Sequence, residues 1–133
     1  MTVLGFDFGE KRIGVAVGHT LTGTAGALKC LHARAKRPDW LAISQLIASW
    51  QPEALIVGIP VNLDGSEHPV VGRVARFCRQ LHGRFGLPVH TIDETLSSVE
   101  ANRYPQAVKR RGLDAVAAQL ILESWLSERI KIR

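Results

Sequence analysis

Apolar residues along this chain recur with two periods, and the switches between them outline its elements. Val3 to Phe8 and Arg12 to Gly18 are apolar runs of strand length, and the short Gly9-Glu10-Lys11 segment between them predicts a β-hairpin. Thr24 to His32 predicts a third strand, weakened at its start by Gly23 and Gly26. From Pro38-Asp39 the spacing changes to three and four residues. Trp40, Leu41, Ile43, Leu46, Ile47 and Trp50 then share one face of a helix that Gln51-Pro52 stops. Ala54 to Ile59 is an unbroken apolar run, the pattern of a strand covered on both sides, with Pro60 as its end. Beyond the turn residues Asn62, Asp64 and Gly65, Pro69 fits the first turn of a second helix, with Val71, Val74, Ala75, Cys78, Leu81 and Phe85 on its apolar face. Gly86 to Pro88 closes that helix and Val89 to Ile92 predicts a short strand. Ser97 and Glu100 have the spacing of a capping box, which predicts a brief helix interrupted at Tyr104-Pro105. A last helix runs from about Leu113 to Glu128, apolar over most of its surface through Val116, Ala117, Leu120, Ile121, Leu122, Trp125 and Leu126.

This order, three strands followed by strand-helix alternation, predicts an α/β fold with one mixed sheet and helices on its faces. At 133 residues and 46% hydrophobic content, the chain fits a single domain over residues 1–133. Lysine and arginine exceed the acids by 17 to 12, a net charge of +5 that favours a polyanionic partner such as nucleic acid. Cys30 and Cys78 are too few for a disulfide framework and neither has zinc-ligand spacing, which fits a reducing compartment. No basic leader, and no apolar stretch long enough to cross a bilayer, stands out, so a cytoplasmic protein without a membrane partner is expected.

Three acidic positions sit awkwardly for a purely structural role. Asp7 interrupts an apolar strand, where aspartate is disfavoured and an unpaired buried carboxylate is costly; a turn aspartate ahead of Gly9 is the competing explanation. Asp93-Glu94 ends a predicted parallel strand, and the carboxyl ends of such strands face the crevice where open α/β sheets bind ligands. Either residue could instead cap the following helix. Alternation sends the two to opposite faces, so one of them at most, taken as Glu94, shares a site with Asp7. Asp114 could simply complement a helix dipole, yet it lies three, four, seven and eleven residues before Ala117, Ala118, Ile121 and Trp125, on the apolar stripe itself. Carboxylates gathered from separate elements repel unless a cation lies between them, and hard oxygen donors suit Mg²⁺ or Mn²⁺.

Four ordered motifs then carry a resemblance. They are F-D-F-G-x-x-R-I-G-V-A-V-G at residues 6 to 18, L-I-V-G-I-P-V-N-L-D-G-S-E at 55 to 67, D-E-T-L-S-S-V-E-A at 93 to 101 and L-D-A-V-A-A-Q-L-I-L-E-S-W-L at 113 to 126. Over nearly its whole length the chain resembles the YqgF/RuvX family of ribonuclease H-like proteins, described as Holliday junction resolvases and as nucleases maturing the 5′ end of small-subunit (pre-16S) ribosomal RNA. The resemblance implies a five-stranded mixed sheet of order 3-2-1-4-5 flanked by helices, with Asp7, Glu94 and Asp114 as the metal-binding catalytic acids. It also implies a metal-dependent phosphodiester hydrolase using Mg²⁺ or Mn²⁺ on pre-rRNA or branched DNA, in contact with the ribosome or its precursors, as monomer or homodimer. One departure stands out: the usual D-E-R-L-[ST] reads Asp93-Glu94-Thr95-Leu96-Ser97 here, with threonine where arginine is common.

Basic residues near these acids are the candidates for holding substrate. Lys11 and Arg12 lie in the hairpin turn beside Asp7, and Lys109, Arg110 and Arg111 precede Asp114. Arg73, Arg76 and Gln80 form a polar stripe read as a solvated helix face, Trp40, Trp50 and Trp125 are read as core, and His19, after the second strand, is a weaker substrate candidate. Two other functions compete with a nuclease. One is a non-catalytic, nucleic-acid-binding ribosome assembly factor, which Thr95 favours; the other is an actin-like ATPase, for which a 133-residue chain lacks the second nucleotide-closing domain.

Overall fold

Two hairpin connections build the first half of the sheet. In the computed structural model, which describes residues 1–9, 11–33, 37–61, 71–95 and 106–131, strand β1 (Thr2–Phe8) pairs antiparallel with β2 (Arg12–His19). Strand β2 pairs antiparallel in turn with β3 (Thr24–His32), with a register shift between Val15 and Ala16. Helix α1 (Trp40–Trp50) then carries the chain to β4 (Ala54–Val61), and α2 (Val71–Phe85) carries it to β5 (Val89–Thr95). Both of these strands join in parallel, as helical crossovers allow and tight turns do not. Helix α3 (Gln106–Lys131) completes the described chain. The resulting order, β3-β2-β1-β4-β5, is the five-stranded mixed sheet expected of a ribonuclease H-like protein.

Period-two alternation gives the sheet two apolar faces. Leu4, Phe6, Ile13, Val15, Leu55 and Val57 pack against Ile43 of α1 and Val74, Phe77 and Leu81 of α2. On the other side Val3, Ala16, Ala54 and Ile56 meet Ala118, Ile121, Leu122, Trp125 and Leu126 of α3. Helix α3 lies hard against the strands because two glycines admit it. A Cβ built on Gly5 would clash with Leu122 Cγ, and one on Gly18 would stand 3.2 Å from Leu126 Cδ1. Asp39 caps α1 by accepting a hydrogen bond from the Ala42 N–H at 3.1 Å, and Gln51 ends it in the left-handed region with φ 47°.

Several elements differ from expectation. Strand β4 runs through Pro60 to Val61; β1 accompanies it only to Val57, so the proline lies past that ladder, where a missing N–H is tolerated. Strand β5 continues to Thr95 because Asp93, Glu94 and Thr95 pair with Ile59, Pro60 and Val61. Helix α3 begins at Gln106 rather than near Leu113, which makes Lys109 to Arg111 helical. On α1, Leu41 is 71% exposed, lying about 200° around the helix from Ile43, and Trp50 in the last turn is 38% exposed rather than core. On α2 the buried stripe runs through Val74, Phe77 and Leu81, and Ala75, a quarter turn off it, is exposed. The helix expected at Ser97 lies outside the described residues. Among the described residues, no helix is long and apolar enough to cross a membrane.

Candidate active site

Because β1, β4 and β5 are parallel, their carboxyl ends share one edge of the sheet. Asp7 lies there, half-buried, next to the last residue of β1 and opposite Gly14. Val3 and Gly5 face α3 while Leu4 and Phe6 face α1 and α2, so position 7 is in phase with the α3 side. In β5, Ile92 packs on the α3-side core and the His90 ring lies 5.7 Å from that of Trp125, whereas Val89 packs on the opposite core. Position 94 follows 90 and 92 in phase, and Asp93 is out of phase and exposed. The Glu94 side chain itself lies outside the described residues, while its backbone pairs with Pro60.

Helix α3 approaches the same edge. Leu126 meets Gly18, whose partner Val3 is near the start of β1, and Leu122 meets Gly5, so earlier residues of α3 lie progressively nearer the carboxyl edge. From Leu122 back to Asp114 the helix covers about 12 Å, against about 7 Å from Gly5 to Asp7 along the strand. Position 114 is thus carried at least as far as the edge where Asp7 lies. It precedes buried Ala118, Ile121 and Trp125 by four, seven and eleven residues, in phase with the stripe that faces the sheet. The Asp114 side chain, like those of Lys109, Arg110 and Arg111, lies outside the described residues.

Lys11 and Arg12 are exposed at this end of the molecule. The Lys11 carbonyl accepts a 2.8 Å hydrogen bond from the Ala33 N–H, and Arg12 pairs with His32 of β3, so the hairpin tip is anchored to β3. His19 is at the opposite end: it pairs with Thr2, and its Nδ1 stands 3.3 Å from the Thr2 hydroxyl, which removes it from any site shared with Asp7. Burial pushes the Cys78 thiol up from its ordinary value, against a smaller opposing effect of Arg79, and the side chain packs on the α1/α2-side core. Trp125 is core at 8% exposure.

Among the described residues, no group of three histidine, cysteine or acidic side chains is close enough to hold a metal ion. The three acids singled out in the sequence, Asp7, Glu94 and Asp114, would offer only hard carboxylate oxygens, a donor chemistry that suits Mg²⁺ or Mn²⁺. Two residues escaped the sequence analysis. Arg37 and Arg84 join Arg73, Arg76 and Gln80 around Trp40 and Phe8 in an open groove between α1 and α2. The signal for Arg84 was present, since 73, 76, 80 and 84 continue one helical stripe; Arg37 joins it only through the tertiary fold.

A profile of the RuvX family, described as Holliday junction resolvase, matches residues 1–128. An Azotobacter vinelandii protein named "Putative pre-16S rRNA nuclease" is 50% identical over 133 residues, covering 96% of this chain and 94% of its own length. A Methylococcus capsulatus protein of the same name is 49% identical, covering 95% and 88% respectively. Among solved structures, Thermus thermophilus RuvC in complex with Holliday junction substrate superposes with a TM-score of 0.61 at 16% identity, covering 98% of this chain and 96% of its own. The fowlpox virus Holliday junction resolvase does so with a TM-score of 0.58 at 12% identity, covering 98% and 99%. At these identities the structural likeness is one of fold, while the profile and the two close relatives establish descent: the chain belongs to the RuvX family.

Proposed function

We propose that this chain is a nuclease that hydrolyses phosphodiester bonds, with Asp7, Glu94 and Asp114 holding one or two divalent cations, Mg²⁺ or Mn²⁺. The observation that carries this reading is the shared carboxyl edge of β1 and β5, toward which the amino-terminal half of α3 points. Bound cations supply Lewis acidity, lowering the pKa of a water and neutralising the leaving oxygen. The carboxylates would keep that charge at the edge, a reading that the packing of β1 and α3 in one core supports. Lys11 and Arg12, with Lys109, Arg110 and Arg111, hold backbone phosphates on either side of the scissile bond. No serine or cysteine attack is required, so Ser97 and Ser98 need not be nucleophiles.

Precursor small-subunit ribosomal RNA is the favoured substrate, because the relatives at 49–50% identity carry that name. Branched DNA follows from the family description and is the second arm of the test. Symmetric cutting of a four-way junction would further need a two-fold dimer, since two related strands must be cut together. The experiment incubates the wild type and Asp7→Asn with each labelled substrate in Mg²⁺, Mn²⁺ or EDTA. Wild-type cleavage that EDTA and Asp7→Asn both abolish is expected. Binding without cleavage in every condition would instead support a ribosome assembly factor, the reading that Thr95 favours, and would make Thr95→Arg the variant to build.

A further inference from the structure

The groove between α1 and α2 is unlike an ordinary solvated helix face. Its volume is about 730 Å³, and the described residues that line it are Phe8, Arg37, Pro38, Trp40, Arg73, Arg76, Gln80 and Arg84, none of them a carboxylate. Helix α2 carries arginine at 73, 76, 79 and 84 and no acid in any of its 15 residues; α1 carries no acid either. An exposed helix normally intersperses charges of both signs. Here one sign is gathered along one stripe of α2, and Arg37 adds to it from a different segment. The floor is rigid: Trp40 stacks on Phe77 at 5.7 Å and 27°, Phe8 lies 5.0 Å from the same ring, and the Arg84 guanidinium rests 4.3 Å above Trp40. A planar guanidinium held over an indole is preorganised to donate two parallel hydrogen bonds to an anion such as a backbone phosphate.

The position of the groove ties it to the edge described above. Phe8 lines the groove, and Asp7, its chain neighbour about 3.8 Å away, is in phase with the opposite face. A strand passing over the carboxyl edge of the sheet therefore leaves the Asp7 side and enters the arginine groove directly. We propose that this groove is a second phosphate-binding surface, holding nucleic-acid backbone remote from the scissile bond and so setting which structured substrates are engaged. The proposal rests on the nuclease reading for its substrate but is tested by binding alone.

The test uses the Asp7→Asn protein in EDTA, so that no cleavage intervenes, and measures binding of a labelled precursor rRNA fragment by fluorescence anisotropy across a salt series. Against this background R37Q/R76Q removes two groove charges while leaving the Arg84–Trp40 contact, and R79Q removes one charge from the same helix outside the groove lining. Thermal melts within about 2 °C of the parent certify that both variants are folded. Each lost phosphate contact lowers the slope of log K against log salt by about 0.7–0.9. The expected result is a slope reduced by about 1.5 and affinity roughly 30-fold weaker at 0.1 M salt in R37Q/R76Q, with R79Q close to the parent. R37Q/R76Q behaving like R79Q would overturn the groove while leaving the nuclease reading intact. A folded parent that fails to bind RNA would overturn both. A parent that binds in this way, from a wild type that cleaves nothing, would overturn the nuclease reading only.

Discussion

Replacing Gly5 with alanine adds a single methyl group at the contact between β1, which carries Asp7, and α3, which carries Asp114. The new Cβ clashes with Leu122 Cγ, and both Leu122 methyl carbons stand only 3.0 Å away. Leu122 is fully buried, so either its rotamer is strained or the helix shifts. Overpacking of this kind costs about 1–3 kcal/mol, and alanine recovers about 0.5–1 kcal/mol of the backbone entropy that glycine loses in a strand. The net loss is about 1–2 kcal/mol, or roughly 4–8 °C in Tm for a domain of this size. The assay is thermal and urea unfolding of wild type, Gly5→Ala, Leu122→Ala and the double variant. Leu122→Ala alone costs about 2–5 kcal/mol, but it opens the space that alanine at 5 occupies, so the double variant is more stable than the sum of the singles by about 1–2 kcal/mol. A Gly5→Ala protein as stable as wild type, or strict additivity in the cycle, would refute the close approach on which the site geometry depends. Catalysis is the more sensitive readout, since a displacement of about 1 Å in a reacting constellation can cost about 100-fold in rate.

Three further outcomes are expected. Phe77 is 1% exposed and touches the rings of Phe6, Phe8 and Trp40, so Phe77→Ala costs about 3–5 kcal/mol in urea unfolding. Asp39→Ala removes the α1 cap and costs about 1 kcal/mol, with an unchanged m-value. The Cys78 thiol, held above its usual pKa by burial, has less thiolate at pH 8 than a free thiol, and so alkylates more slowly in the folded protein than after denaturation; equal rates would contradict its packing.

Much of the fold was legible because its signals are local. The Gly9-Glu10-Lys11 hairpin, the unbroken run from Ala54 to Ile59 and the Asp39 cap each express a short-range rule. Pairing partners were not local, and they decided the errors: Pro60 remains in a strand and β5 reaches Thr95 because each has a partner across the ladder. Helix faces failed where α1 is apolar nearly all round, so that periodicity alone could not tell Leu41 from Ile43. For the candidate site, strand and helix phase were legible: position 7 is in phase with Val3 on the α3 side of the sheet, and position 114 is in phase with buried Ala118, Ile121 and Trp125. The basic groove was only half visible, since Arg37 meets the α2 arginines through tertiary structure. His19 was misplaced for the same kind of reason: it ends β2 at the far side of the sheet, which its distance in sequence from Asp7 does not reveal.

The most direct measurement compares two neighbouring carboxylates on one strand. Position 94 is in strand phase with the α3 side of the sheet, as position 7 is, whereas Asp93, which pairs with Ile59, is out of phase and exposed. Single-turnover cleavage of labelled precursor rRNA in Mn²⁺ is measured for wild type, Glu94→Gln and Asp93→Asn. Losing even an outer-shell partner of a metal site costs about 10–100-fold, so Glu94→Gln should lose about 100-fold or more while Asp93→Asn stays within a few-fold of wild type. Equal losses in the two variants, or a greater loss in Asp93→Asn, would contradict a metal centre built from Asp7, Glu94 and Asp114 at the carboxyl edge of the sheet.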